Sequence, residues 1–207
     1  MKKMKRMAAL ILSCALAAVC PVMGSQAEED TRKDFVFGDY VGDVDPASGA
    51  YAWVGMRIGV MESLFKLDDS MTVQKNLVDD YSVSDDGLVW TIKLRDNVQF
   101  QSGNPMDADA VKASLERTCS MQSRAESELD IASMEADGNV LTITTKKPNP
   151  VLPNCLCDPY SGIVDVKSIG DDGDATVGTG PFKLVEYVEN ERMELDAFDD
   201  YWAGKPA

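Results

Sequence analysis

Residues 77–94 leave the chain few choices of fold. Leu88, Trp90, Ile92 and Leu94 alternate with Val89, Thr91 and Lys93. Residues two apart share one face of a strand, so one face here is apolar and the other mixed. Ahead of it, Ser84-Asp85-Asp86-Gly87 combines turn-forming side chains with a glycine where a positive φ is needed. The pattern predicts a half-buried hairpin over residues 77–83 and 88–94, whose apolar face must be covered from elsewhere in the chain.

The same punctuation recurs twice. Residues 131–135 and 140–146 flank Ala136-Asp137-Gly138-Asn139, and residues 182–188 and 192–198 flank Glu189-Asn190-Glu191. Both read as hairpins. Ahead of all three, Val54, Ile58 and Met61 recur at helical spacing and predict a helix over residues 53–63. A second helix is predicted over residues 108–119. Asp107 is its N-cap, Asp109 lies where the helix dipole favours a carboxylate, and Val111 and Leu115 point inward. Pro148, Pro150 and Pro153 break the chain before a short helical turn at residues 152–157. Residues 34–40 read as a short strand, and no repeat of fixed period is present. Three hairpins with interleaved helices make a mixed α/β fold.

Lys2, Lys3, Lys5 and Arg6 precede an apolar run from Met7 to Val19, as in a secretory signal peptide. The run is shorter than the ~20 residues of a membrane span. Ser25-Gln26-Ala27 offers small residues for cleavage after Ala27, whereas Cys20, as a lipid-bearing cysteine, would follow Val19 instead of a small residue. The expected organisation is a signal peptide over residues 1–27 and one exported domain over residues 28–207. Cleavage there removes four of 20 basic residues and none of 35 acidic ones, and so acidic a surface repels nucleic acid.

The chain has no histidine, which excludes Ser-His-Asp and Cys-His catalysis and imidazole metal sites. No catalytic residue, metal or cofactor is expected. Cys119, Cys155 and Cys157 remain beyond the signal. Cys119 is free to bridge to either of the others or to none, and Cys-Leu-Cys without a second pair is no zinc knuckle. The stretch "GDDGDATVGTGPFKL" at residues 170–184 looks like a phosphate or metal loop. However, Pro181 and Phe182 stand where a P-loop has its lysine, and Lys183 stands where a dinucleotide fingerprint has its third glycine. Neither it nor residues 43–48 carry the alternating ligands of a calcium loop. Asp79-Asp80 and Asp199-Asp200 read as surface charge.

Aromatic residues in expected loops are better binding candidates: Tyr51 and Trp53 after Asp45-Pro46, and Tyr160 beside Ser161. Arg124 suits either a ligand carboxylate or a surface salt bridge.

In order, "VSDDGLVWTIKLRDNVQFQSGNPMDADAVKASLER", "VGTGPFKLVEY" and "DDYWAGKP", with Asp45-Pro46 ahead of them, resemble extracellular solute-binding protein family 5 of the ABC importers for peptides and nickel. The resemblance implies a periplasmic-binding-protein type II-like clam-shell. This chain would supply the first-lobe subdomain and the start of the main sheet, with the second lobe absent. It implies a monomer that captures an oligopeptide or similar small solute and delivers it to permease subunits. It also implies that Tyr51, Trp53, Arg124, Tyr160 and Ser161 face the ligand cleft. In nickel-type members, arginines in the regions matching Arg124 and Ser161 contact a chelator's carboxylates. Arg124 matches, Ser161 departs, and the missing histidine removes a further metal ligand, so peptide is expected over nickel. By the same resemblance the turn at residues 177–181 starts the strand returning to the main lobe. Gly178 and Gly180 would give it backbone freedom, and Lys183 would be exposed.

Overall fold

The computed structural model describes residues 43–48, 53–173, 175–188 and 191–206. The expected signal peptide, the strand at residues 34–40 and Tyr51 lie outside the described residues.

The first two hairpins form as expected and join edge to edge. Strands β3 (Val78–Val83) and β4 (Val89–Leu94), and β5 (Ile131–Asp137) and β6 (Val140–Thr145), build a four-stranded antiparallel sheet in the order β3-β4-β6-β5. The central pairing sets Trp90 opposite Ile143 and Ile92 opposite Leu141. Trp90, Ile92, Leu94, Leu141 and Ile143 are all buried. Each such side chain contributes about 1.5–3 kcal/mol when withdrawn from water.

The cover comes from α2 (Ala108–Met121) and α3 (Ser123–Leu129). Val111, Leu115, Ala125 and Leu129 are fully buried against the sheet's core. Asp107 caps α2 as expected, accepting from Ala110 N at 2.9 Å. The helix runs past Cys119 to Met121, and extended backbone at Gln122 then separates it from α3. The sequence reading did not include α3, whose buried positions are only Ala125 and Leu129. They are four apart on one helical face. Asp130, in the left-handed region at φ 49°, ends it.

The first helix is shorter than expected: α1 spans Trp53–Arg57 only. Gly59 takes φ 73°, and Val60 N and Met61 N both turn back to Gly55 O. Departure from the helix leaves the Gly59 and Val60 carbonyls open, and Phe182 N and Gly180 N donate to them. A small hairpin absent from the sequence reading follows, β1 (Phe65–Leu67) with β2 (Val73–Lys75). Asp68 Oδ1 accepts from Ser70 N and Thr72 N in its turn.

Three further short elements precede the last hairpin: α4 (Leu152–Cys155) and 3₁₀ turns at Pro159–Ser161 and Val166–Ser168. Strands β7 (Phe182–Val188) and β8 (Arg192–Ala197) form the third expected hairpin as a separate sheet. Leu184, Met193 and Leu195 pack on a second apolar cluster of Val44, Val54, Val60, Met61, Val164 and Ala175.

The glycines before β7 act differently from expectation. Neither Gly178 nor Gly180 has a positive φ; a Cβ on either would meet backbone, 2.3 Å from Val60 O at Gly178 and 2.2 Å from Gly59 O at Gly180. Their role is close approach. Gln101 fastens the junction, its Nε2 donating to Val60 O at 2.8 Å, Gly180 O at 3.0 Å and Phe182 O at 2.7 Å. Its Oε1 accepts from Gly178 N. Lys183 is half-buried instead of exposed, its Nζ lying 4.5 Å from the centre of the Phe198 ring. Cys119, Cys155 and Cys157 are all free thiols.

Candidate functional site

Four of the five residues singled out from the sequence, Trp53, Arg124, Tyr160 and Ser161, stand on adjoining elements. Asp158 caps the 3₁₀ turn Pro159–Ser161 by accepting from Tyr160 N, and this turn packs against α1, which begins at Trp53, and against α2. Tyr160 is 1% exposed. Its hydroxyl donates to Glu128 Oε2 at 2.8 Å. Ser161 is fully buried and donates to Cys155 O at 3.0 Å.

Arg124 covers this turn from α3. Its Nε donates to Glu128 Oε1 at 2.9 Å and its Nη2 to Asp158 Oδ2 at 2.7 Å. The guanidinium carbon lies 5.3 Å from the centre of the Tyr160 ring. Two of its five donors are thereby used, and the side chain remains 60% exposed.

The charges reinforce each other. The Glu128 hydrogen bond and then the Asp158 charge raise the guanidinium's pKa. The Arg124 hydrogen bond foremost, aided by Tyr160, holds the Glu128 carboxyl below its ordinary value. Burial, followed by the Glu128 hydrogen bond, pushes the Tyr160 phenol far up, so it is a neutral donor. The arrangement presents a fixed cation over an aromatic face, a geometry suited to carboxylate recognition and poor in nucleophiles. Burial likewise raises the nearby thiols, Cys155 upward and Cys157 to about 11.

Trp53, half-buried at the start of α1, carries the Arg57 guanidinium 4.7 Å from its ring centre. The loop ahead of it is tied to the same region. Gln122 Nε2 donates to Pro46 O at 3.0 Å, and a Cβ on Gly162 would lie 3.3 Å from Pro46 Cβ. Sequence reasoning missed Glu128 and Asp158. The four-residue spacing of Arg124 and Glu128, and the position of Asp158 before Pro159-Tyr160, were the available signals. It also missed the buried ion pair between Asp45 and Arg117, which no spacing in the sequence announces.

A cavity of about 320 Å³ lies elsewhere, lined by Met56, Glu62, Lys66, Asn76, Tyr201 and Trp202 among others. Glu62 accepts there from Thr179 Oγ1 at 3.0 Å, Tyr201 OH at 2.9 Å and Trp202 Nε1 at 2.8 Å. Its carboxylate is occupied in joining segments. Among the described residues no group of three or more acidic or cysteine side chains is placed to hold a metal ion.

The model of the bacterial extracellular solute-binding proteins, family 5 Middle, matches residues 72–207. The nickel-binding protein NikA of Staphylococcus aureus is 37% identical over 153 residues, covering 74% of this chain and 31% of its own length. The glutathione-binding protein GsiB of Escherichia coli O1:K1 is 31% identical over 202 residues, 94% of this chain and 38% of its own. This chain thus spans about a third of the length of these relatives.

Among solved structures, S. aureus NikA in complex with Ni(L-His)2 superposes with a TM-score of 0.74 at 35% identity, over 79% of this chain and 34% of that one. The nickel ABC transporter from Bacillus halodurans does so at 0.74 and 39%, over 81% and 35%. The mixed α/β fold with antiparallel sheets is therefore that of the type II periplasmic binding proteins, over part of their length. With the motifs from residue 72 onward inside the matched region, the chain belongs to the bacterial extracellular solute-binding proteins of family 5.

Proposed function

We propose that this chain forms one wall of the solute site of an exported binding protein, and that the solute is a small amino-acid-derived carboxylate, first of all a short peptide, passed to the permease of an ABC importer. Residues 1–27 serve as the signal peptide in this reading, and residues 28–207 as the N-terminal part of the binding domain, which acts as a monomer without catalysis. The supporting observation is Arg124, exposed over a buried tyrosine and held in place by Glu128 and Asp158. Its Nη1 donors are unengaged among the described residues and suit a ligand carboxylate. Trp53, Tyr160 and Ser161 shape the wall around it, and Tyr51 contributes as the family resemblance implies. Ligand capture shifts the population from open to closed forms through differential affinity.

A second reading, a nickel–amino-acid chelate, is favoured by the similarity to S. aureus NikA, a nickel-binding protein whose structure holds Ni(L-His)2. The chelate's carboxylates would use the same arginine. Calorimetry on the complete gene product with tri-alanine, glutathione and Ni(L-His)2 separates the two. Heat with a peptide, weakened about 10- to 100-fold by Arg124→Ala, is the expected result. Heat with Ni(L-His)2 alone transfers the assignment to nickel, and heat with none of the three overturns both.

A further inference from the structure

We infer that Arg117 is a positioning residue for this site; the inference rests on the function proposed above. Asp45 is 2% exposed, and Arg117 grips it with both terminal nitrogens, Nη1 to Oδ1 at 2.8 Å and Nη2 to Oδ2. The same carboxylate accepts from Ala47 N at 2.8 Å and from Ala175 N at 3.1 Å. Arg117 Nη2 also donates to Gly173 O at 3.0 Å, and Gln122, just beyond the end of α2, holds Pro46 O.

Arg117 on α2 and Gln122 just beyond it therefore fix the turn at residues 45–48, five residues ahead of Trp53 in the sequence, to Gly173 and Ala175. A buried ion pair is a poor stabiliser compared with an apolar pair of similar volume, because desolvation offsets much of the attraction. What the pair supplies is direction, since a bidentate fork tolerates one orientation of the carboxylate and hence one placement of the turn at residues 45–48, whose Pro46 lies against Gly162 beside Ser161. A loop held in its binding conformation before the ligand arrives avoids the ordering cost on capture.

The test compares stability with affinity in the complete gene product. Asp45→Leu combined with Arg117→Met replaces the pair by an apolar one. Because it also removes the acceptor of Ala47 N and Ala175 N, the unfolding temperature is expected to fall by about 5–15 °C with the protein still folded at about 25 °C. Affinity for whichever of tri-alanine, glutathione or Ni(L-His)2 the wild type binds is expected to fall about 10-fold. Arg117→Lys, which keeps the charge and loses the fork, should fold and give an intermediate loss. Wild-type affinity in a folded double variant or in a folded Arg117→Lys protein overturns the inference while leaving the proposed function standing. A wild type that binds none of the three probes overturns that function, and the inference with it.

Discussion

Trp202 Nε1 lies 2.8 Å from Glu62 Oε2, so an indole near the end of the described chain is anchored on the residue that pairs with Ile163 in an isolated bridge. Thr179 donates to the same oxygen and Tyr201 to the other, and the Arg95 guanidinium lies 4.7 Å from the centre of the Trp202 ring. Asn76 Nδ2 donates to Oε1 as well, at 3.4 Å, so one carboxylate holds four side chains drawn from three segments.

Glu62→Gln should destabilise the protein by about 2–4 kcal/mol, because an amide turns a donor toward groups that are already donors. Trp202→Phe, which removes a single hydrogen bond, should cost about 1–2 kcal/mol. Urea midpoints check both, and equal midpoints for wild type and Glu62→Gln would contradict the assignment of this carboxylate as the shared acceptor.

Alanine at Gly180 and at Gly138 should behave differently. At Gly180 the new Cβ meets Gly59 O at 2.2 Å, and a cost of about 3 kcal/mol is expected from overpacking against backbone. Gly138 has φ 58° with open space around it, so only left-handed strain of about 1–2 kcal/mol applies. Thermal unfolding should rank Gly180→Ala well below Gly138→Ala.

The acid limb of stability should depend on Asp165. Burial pushes its carboxyl up, but hydrogen bonds from Ser168, Ser102, Asn104 and Lys167 N outweigh this and hold it below the ordinary 3.8. A carboxyl depressed in the folded state stabilises above its unfolded pKa and loses that contribution as pH falls through the folded one. The gap between wild type and Asp165→Asn should therefore be full above about pH 4 and narrow below it. A gap that is constant from pH 7 to pH 2 would contradict the hydrogen-bonded ionised form.

The thiols should be slow to react. With Cys157 pushed to about 11, roughly one molecule in a thousand carries its thiolate at pH 8. Iodoacetamide labelling of Cys157 in the folded protein should be at least about 10-fold slower than that of free cysteine, and unfolding should abolish the difference. Rapid labelling of native Cys157 would show a more open environment than the one described.

What could be read in advance followed local physics. The β3–β4 hairpin, the Asp107 cap and the β5–β6 turn each follow from a few adjacent side chains. The pairing of β4 with β6 was not legible, because strand alternation specifies a face and leaves the neighbour open. Helix α3 escaped because only Ala125 and Leu129 mark its inner face. At the candidate site, Arg124 and Tyr160 stood out by residue type. Glu128 and Asp158, which orient them, looked like two more acids in an acidic chain. The Asp45–Arg117 pair joins residues 72 apart, a separation over which no sequence period operates.

Gln101 carries a consequence for how the chain reaches this state. Its partners Gly178, Gly180 and Phe182 lie 77, 79 and 81 residues away, and closing such a loop comes at an entropic cost before any contact rewards it. The hairpins can form from neighbouring residues, so the seam at Gln101 closes late in folding. Stabilising or weakening it should then change the unfolding rate far more than the folding rate. Because Gln101 contacts only main-chain atoms of its partners, that kinetic lock depends on one amide and two glycines, and is indifferent to the side chain carried by residue 60 or 182.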